Sequence, residues 1–420
     1  MILMEKRAIQ KHKESDVFYF QCMFWFISLF LILTANTSKA YNYEFTNIKN
    51  CKTYDIEIER ELLLIDDYED FDNKYCKYRQ NDLKQKNKDL KSKITEYEEY
   101  DEKSVEEYKN KIYNLAKKDG ISYATRRDFK KFVEYKADIK KFDNTQPENI
   151  KTLDEYLFEQ LSDVNLDILH KNILEKRNNK NLNDIEDIFK VEKSIMMALW
   201  MHETKFGRIM GKRKIIDALF TLAYNGNRKE FFEKNLIYFL KIVDLKHANI
   251  NAKGSWAGAF GQIQFMPQTF MKYAINYDDK DSIDIFKNDD DIAASLANYL
   301  QNIGWKYKSG IITEVILPNK FDYCLVGFMK NKEKTIQEWK RLGLKLSKNT
   351  IGREFFQDTY KKAWLIIPDK THILTTGCKP RAFLVYENFG HILEWNRSMF
   401  FAITIANLQQ KSETFEINNQ

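Results

Sequence analysis

The sequence predicts a mainly α protein of the α+β class, with a helical core and a small β lobe late in the chain. Breakers are scarce, at 14 Gly and 5 Pro in 420 residues. Through most of the chain apolar residues recur at three- and four-residue spacing, the period of a helix with one buried face. Only the runs Ile311–Leu317, Trp364–Ile367 and Ala382–Tyr386 are dominated by β-branched, aliphatic and aromatic residues, which places the β lobe at about 311–390. At 44% hydrophobic and 30% charged, the chain is globular and long enough for a sizeable core and more than one domain. A net charge of +6 without a basic tract argues against nucleic acid as a partner.

The first 40 residues read as an export segment. Lys6, Arg7, Lys11 and Lys13 precede the apolar run Val17–Leu33, and Ser38-Lys39-Ala40 supplies a small-residue cleavage site. The run is slightly short of the ~20 residues of a comfortable membrane span. Cleavage after Ala40 is favoured; an uncleaved anchor, attaching the protein to a membrane, is the alternative. Either places the rest of the chain outside the cytoplasm, in the periplasm or cell envelope. Beyond this segment, Cys51, Cys76, Cys324 and Cys378 permit disulfides, most simply Cys51 with Cys76 and Cys324 with Cys378. Residues 41–104 form a charged, largely helical region of unassigned role.

Ser104 with Glu107 reads as a capping box opening a helix through Val105, Tyr108, Ile112 and Leu115 that Gly120 stops. A second helix follows from about Thr125. FDNTQPEN, 142–149, is a turn-rich break, followed by helices over Leu153–Leu161 and Leu166–Lys176. Asp217 is placed to N-cap the helix of Ala218, Leu219 and Leu222. Phe231–Leu245 is amphipathic, Thr335–Leu342 is a short helix ended by Gly343, and Met399, Ile403 and Leu408 mark a last core helix, with 411–420 as a tail.

The chemistry concentrates in the middle. In WMHETKFG, Glu203 ends a run, Val191–Leu199, that otherwise reads as core. A carboxylate there is either paired or chemically employed, because losing its water uncompensated is costly. Partial burial among apolar groups favours the protonated form, which suits a general acid. The loop Lys253–Phe270 alternates aromatics and amides around Gly254, Gly258 and Gly261, a pattern that suits a sugar face as well as a tight helix contact. Asn276, Asp278, Ser282, Asp284 and Asp291 follow the spacing of a degraded calcium loop. Lys280 puts a cation where a ligand belongs, so no cofactor is expected and calcium is doubtful.

WMHETKFGRIMG, GSWAGAFGQIQFMP, the degraded calcium loop, SLANYL and EWNRS, in this order from about Val105 to Leu408, together resemble the soluble lytic transglycosylase B family of murein hydrolases. The resemblance implies a lysozyme-like helical core with an added helical region, a catalytic domain over 105–410, and peptidoglycan glycan strands as the partner. Glu203 matches the single acid/base that cleaves the bond between MurNAc and GlcNAc and forms 1,6-anhydroMurNAc. Ser255 matches the serine that steadies the N-acetyl group. Gln264, Tyr299 and Asn396 match substrate-binding residues, with Phe265 beside Gln264 packing on sugar or core. Trp395 replaces the family's usual tyrosine and keeps a stacking face. His202, beside Glu203, replaces a small or apolar residue and would depress the acid's pKa if charged. A muramidase-type hydrolase using water and a catalytically silent peptidoglycan-binding scaffold are the alternatives.

Overall fold

A computed structural model describes residues 101–144, 152–279, 282–348, 350–369 and 380–419. The export segment, Cys51, Cys76, Cys378, Lys280 and nearly all of the region 41–104 lie outside them. Cys324 is disulfide-bonded. Among the described residues no helix is long and apolar enough to cross a membrane.

Three helices lead in: α1 (Glu102–Lys118), α2 (Tyr123–Phe132) and α3 (Ala137–Asn144). The helix α1 starts earlier than expected. Asp101 is its N-cap and accepts the Lys103 and Ser104 N–H groups, while Ser104 sits inside the first turn and its hydroxyl accepts from Tyr224. Both Asp and Ser can cap; the one whose side chain has no tertiary partner takes the role. Gly120, at φ +81°, follows the helix end as predicted.

The bundle continues with α4 (Leu153–Gln160), α5 (Asp163–Lys176), α6 (Lys180–Phe189) and α7 (Lys193–Thr204). Of these, α7 is the axis. Ser194 through Met201 and Thr204 are all buried, and α5, α6, α11 (Asp289–Ile303) and α14 (Met399–Asn418) pack around it. A helix apolar on every side has no solvent face to lose, so it belongs at the centre. Beyond it lie α8 (Ile215–Asn225), α9 (Lys229–Asp244), α10 (Pro267–Tyr273), and a two-stranded ribbon in which β1 (Arg213–Lys214) pairs antiparallel with β2 (Lys253–Gly254). Asp217 is not the cap of α8. It is the third residue of the helix, within its first turn, 3% exposed, and accepts the Glu134 backbone N–H at 2.9 Å, because tying down the chain between α2 and α3 outweighs capping its own helix.

The β lobe is a five-stranded antiparallel sheet in the order β4-β6-β7-β3-β5, built from β3 (Ile312–Ile316), β4 (Lys334–Thr335), β5 (Lys345–Leu346), β6 (Lys362–Ile366) and β7 (Ala382–Val385). The period of two is visible in β7. Phe383 and Val385 join the bundle core, while Ala382 and Leu384 face a second core with Val315, Trp339 and Leu365. The short helix α12 (Ile336–Arg341), opened by a Thr335–Glu338 capping box, covers that second core. Arg381 locks the lobe to α4, bonding Glu314 at 2.7 and 2.8 Å and Asp154 at 2.9 Å. The chain then forms α13 (Glu387–Trp395) and α14, whose N-cap is Ser398. The expected tail is helical as far as Asn418, with Ser412 fully buried.

Candidate active site

The buried axis ends where Glu203 stands. After Thr204 the backbone turns left-handed at Lys205, Phe206 and Gly207, with φ of 52°, 56° and 81°. Non-glycine residues in that region cost ~1–2 kcal/mol each, so surrounding contacts must hold them. Gln262 supplies those contacts. Thr204 Oγ1 donates to its backbone carbonyl at 2.6 Å, Trp200 Nε1 donates to its side-chain oxygen at 2.8 Å, and its Nε2 donates to the Phe286 carbonyl at 2.8 Å. Gly207 makes room for this clamp, since a Cβ there would lie 2.6 Å from the Gln262 Cδ. The sequence reading passed over Gln262 for Gln264; the repeated amide in GQIQF was the available signal, one amide facing the helix and the other the loop.

The carboxyl of Glu203 meets α13. Trp395 Nε1 donates to Glu203 Oε1 at 2.7 Å. The indole is set in a cluster of rings. Its centroid lies 4.9 Å from Tyr299, near perpendicular, and 5.5 Å from Phe265, and Tyr273 stands 4.8 Å from Tyr299. Phe265 is 2% exposed, so it backs the wall rather than presenting a face to sugar. Tyr299 donates to the Glu394 carbonyl at 3.2 Å, and burial raises its phenol pKa, which keeps it a neutral donor.

The remaining expected residues are shaped by local bonds. Asn396 ends α13, and its side-chain oxygen accepts the Ser398 N–H at 3.0 Å. Ser255 Oγ accepts from the Ala257 and Ala259 N–H groups at 3.3 and 3.0 Å, bonds that do not use its hydroxyl proton. Gln264, at φ 49°, spends its amide hydrogens on the Gly261 and Met210 carbonyls at 3.0 and 3.3 Å. That second bond ties the loop to the segment leaving α7. The structure thus joins Glu203, Trp395, Tyr299 and Phe265 in one cluster, with Asn396 next to Trp395 and Gln264 next to Phe265 in the chain, while Ser255 bonds within its own loop.

His202, about 100° round α7 from Glu203, meets different neighbours. Its ring packs edge-on against Phe401 at 4.6 Å and its Nε2 lies 3.4 Å from the Tyr156 hydroxyl. Burial pushes the imidazole down to about 4, so it is neutral at neutral pH and places no positive charge beside Glu203.

The calcium-like loop bonds to itself. Asp291, fully buried, accepts the Tyr277 and Asp284 N–H groups, both at 2.8 Å, one on each carboxylate oxygen. Asp284 Oδ1 accepts from Phe286 and Lys287, and Asp278 Oδ2 accepts from the Asn288 amide. Among the described residues no group of three or more His, Cys, Asp or Glu is arranged to hold a metal.

The helical bundle with its small sheet is the lysozyme-like fold of lytic transglycosylases, and solved structures of that class superpose on this one. SltB3 from Pseudomonas aeruginosa, solved in complex with NAG-anhNAM-pentapeptide and with NAG-NAM-pentapeptide, matches with a TM-score of 0.65 at 28% identity, over 74% of this chain and 79% of that one. The lytic transglycosylase Slt35 of Escherichia coli, solved in complex with calcium, shares the fold with a TM-score of 0.59 at 23% identity, over 75% of this chain and 94% of that one. The chain belongs to the transglycosylase SLT domain family, whose model matches residues 104–410. A curated relative, the membrane-bound lytic murein transglycosylase B of Escherichia coli (strain K12), is 38% identical over 126 residues, which is 30% of this chain and 35% of that relative's length.

Proposed function

We propose that this protein is a peptidoglycan lytic transglycosylase, cleaving the β-1,4 bond between MurNAc and GlcNAc with Glu203 as the sole acid/base. The observation that carries the reading is the placement of Glu203 at the end of the buried helix, bonded by the Trp395 indole N–H and set beside its ring cluster. Proton donation from Glu203 opens the bond between the MurNAc anomeric carbon and the glycosidic oxygen. The carboxylate then takes the proton of the MurNAc 6-hydroxyl, whose oxygen bonds to that same carbon. The leaving GlcNAc keeps the donated proton, the ring closes as 1,6-anhydroMurNAc, and no water is consumed. The Ser255 hydroxyl, whose proton its two accepted bonds do not use, suits the N-acetyl oxygen, and substrate assistance stands where a second carboxylate would in ordinary glycosidases. Digesting purified peptidoglycan with the exported form and analysing the products by mass spectrometry tests this. Anhydro-ended muropeptides support the reading; reducing ends alone, or undigested glycan, overturn it.

The same reading places the protein in the periplasm or cell envelope after export, with glycan strands as its partner. Because the carboxylates of the 276–291 loop are engaged by the loop's own amides, we also infer a self-supporting loop without calcium. Calorimetric titration with calcium should show no binding at millimolar concentration, and a saturable heat would contradict it.

A further inference from the structure

We propose that Trp395 is a positioning residue for the acid/base, its indole N–H fixing which oxygen of Glu203 carries the catalytic proton. This rests on Glu203 being that acid/base.

An indole N–H is a donor and nothing else. Its 2.7 Å bond to Glu203 Oε1 therefore needs a lone pair on that oxygen, and a carboxyl offers its best one on the carbonyl side. A protonated Glu203 accordingly carries its hydrogen on Oε2. A phenol at position 395 would not impose this, because a hydroxyl rotates and accepts as well as donates.

The donor is also rigid. Trp395 has two side-chain torsions, its ring is wedged between Phe265 and Tyr299, and Tyr299 is itself bonded to the backbone of Glu394 next door. The helix that carries Trp395 packs on α11 and α14. The N–H thus needs no reorientation when charge appears. As the Oε2–H bond breaks and the glycosidic oxygen takes the proton, negative charge spreads onto Oε1, and the bond from Trp395 strengthens in step. An interaction stronger in the transition state than in the ground state raises kcat rather than lowering KM. When Oε2 then accepts the 6-hydroxyl proton, the indole returns to its neutral acceptor. Stacking on sugar, the role expected of this ring from sequence, predicts the reverse: a change in KM with kcat preserved.

The test replaces Trp395 with the isostere β-(3-benzothienyl)alanine, in which sulfur stands for the N–H and ring shape is kept, with Trp395→Phe as the genetic variant. Both are assayed in the full exported chain on a soluble GlcNAc–MurNAc oligosaccharide, beside Glu203→Gln and the double replacement. We expect kcat to fall about 10- to 100-fold in the isostere, the weight of a charge-assisted hydrogen bond, with KM within about twofold. In the Glu203→Gln background the isostere should have no further effect, since the two act as one unit. An isostere with unchanged kcat, or with only KM raised, while Glu203→Gln is inactive, overturns the role of Trp395 alone. Turnover retained by Glu203→Gln overturns both this role and the reaction it serves.

Discussion

The two ends of α7 hold the same pair of groups in different settings. At the N-terminal end Glu192 accepts the Trp305 indole N–H at 2.7 Å, and at the C-terminal end Glu203 accepts the Trp395 indole N–H at 2.7 Å. The surroundings differ. Glu192 is 8% exposed and its other oxygen accepts the Lys308 backbone N–H, so both oxygens serve the fold. Burial raises its pKa, and the indole and backbone hydrogen bonds oppose that rise. Glu203 lies beside the ring cluster of Trp395, Tyr299 and Phe265, on a helix end followed by left-handed backbone. The same contact thus serves the fold at Glu192, and on the proposed function it serves the reaction at Glu203.

Breaking the buried pair should have the largest effect on the fold. Glu192→Ala orphans the Trp305 and Lys308 N–H groups and should cost ~2–4 kcal/mol in urea unfolding, without changing the chemistry of the remaining folded protein. A cost below ~0.5 kcal/mol would show that the two ends are not distinguished by burial.

Gln262→Ala sharpens the comparison from the other side. It removes the acceptor of the Trp200 N–H and the donor to Phe286, leaving the turn after Thr204 less held. Roughly 1–3 kcal/mol should be lost, with kcat reduced more than stability alone explains, because Glu203 sits on the loosened end. Calorimetry paired with a digestion assay at low temperature separates the two.

An effect confined to acid pH concerns His202. Its folded pKa of about 4 lies below the ordinary value of 6.5, so the unfolded chain binds more protons between those limits. Stability contributed by the neutral ring is full above pH 6.5 and is lost as pH falls toward 4, by ~2–3 kcal/mol in total. His202→Phe should flatten that slope in pH-dependent unfolding; a slope unchanged by the substitution would remove His202 as its source.

What the sequence could reveal followed the range of the contacts. Glu203 was legible because a carboxylate ending an apolar run is a local anomaly, and the β lobe was legible from three β-branched runs. The bond from Trp395 was not, because its partner lies 192 residues away. Asp217 carried a cap signature that tertiary bonding to Glu134 overrode. The helix α6 carries Leu182, Ile185, Ile188 and Phe189 at three- and four-residue spacing amid Asn, Asp and Glu, so its period was legible in the sequence. The last turns of α14 are polar enough to read as a tail, yet Glu413 and Glu416 are bonded there by Ser194 and Lys193 of α7.

The central claim is that one end of α7 does chemistry and the other does not. The direct measurement is digestion of purified peptidoglycan by Glu203→Gln and Glu192→Gln, side by side, at a temperature where both are folded. Glu203→Gln should lose at least ~1000-fold in the rate of anhydro-ended product release, because the shape is kept and the transferable proton is gone, while Glu192→Gln stays within a few-fold of the parent. Appreciable turnover by Glu203→Gln, or an equal loss in both variants, would contradict the account.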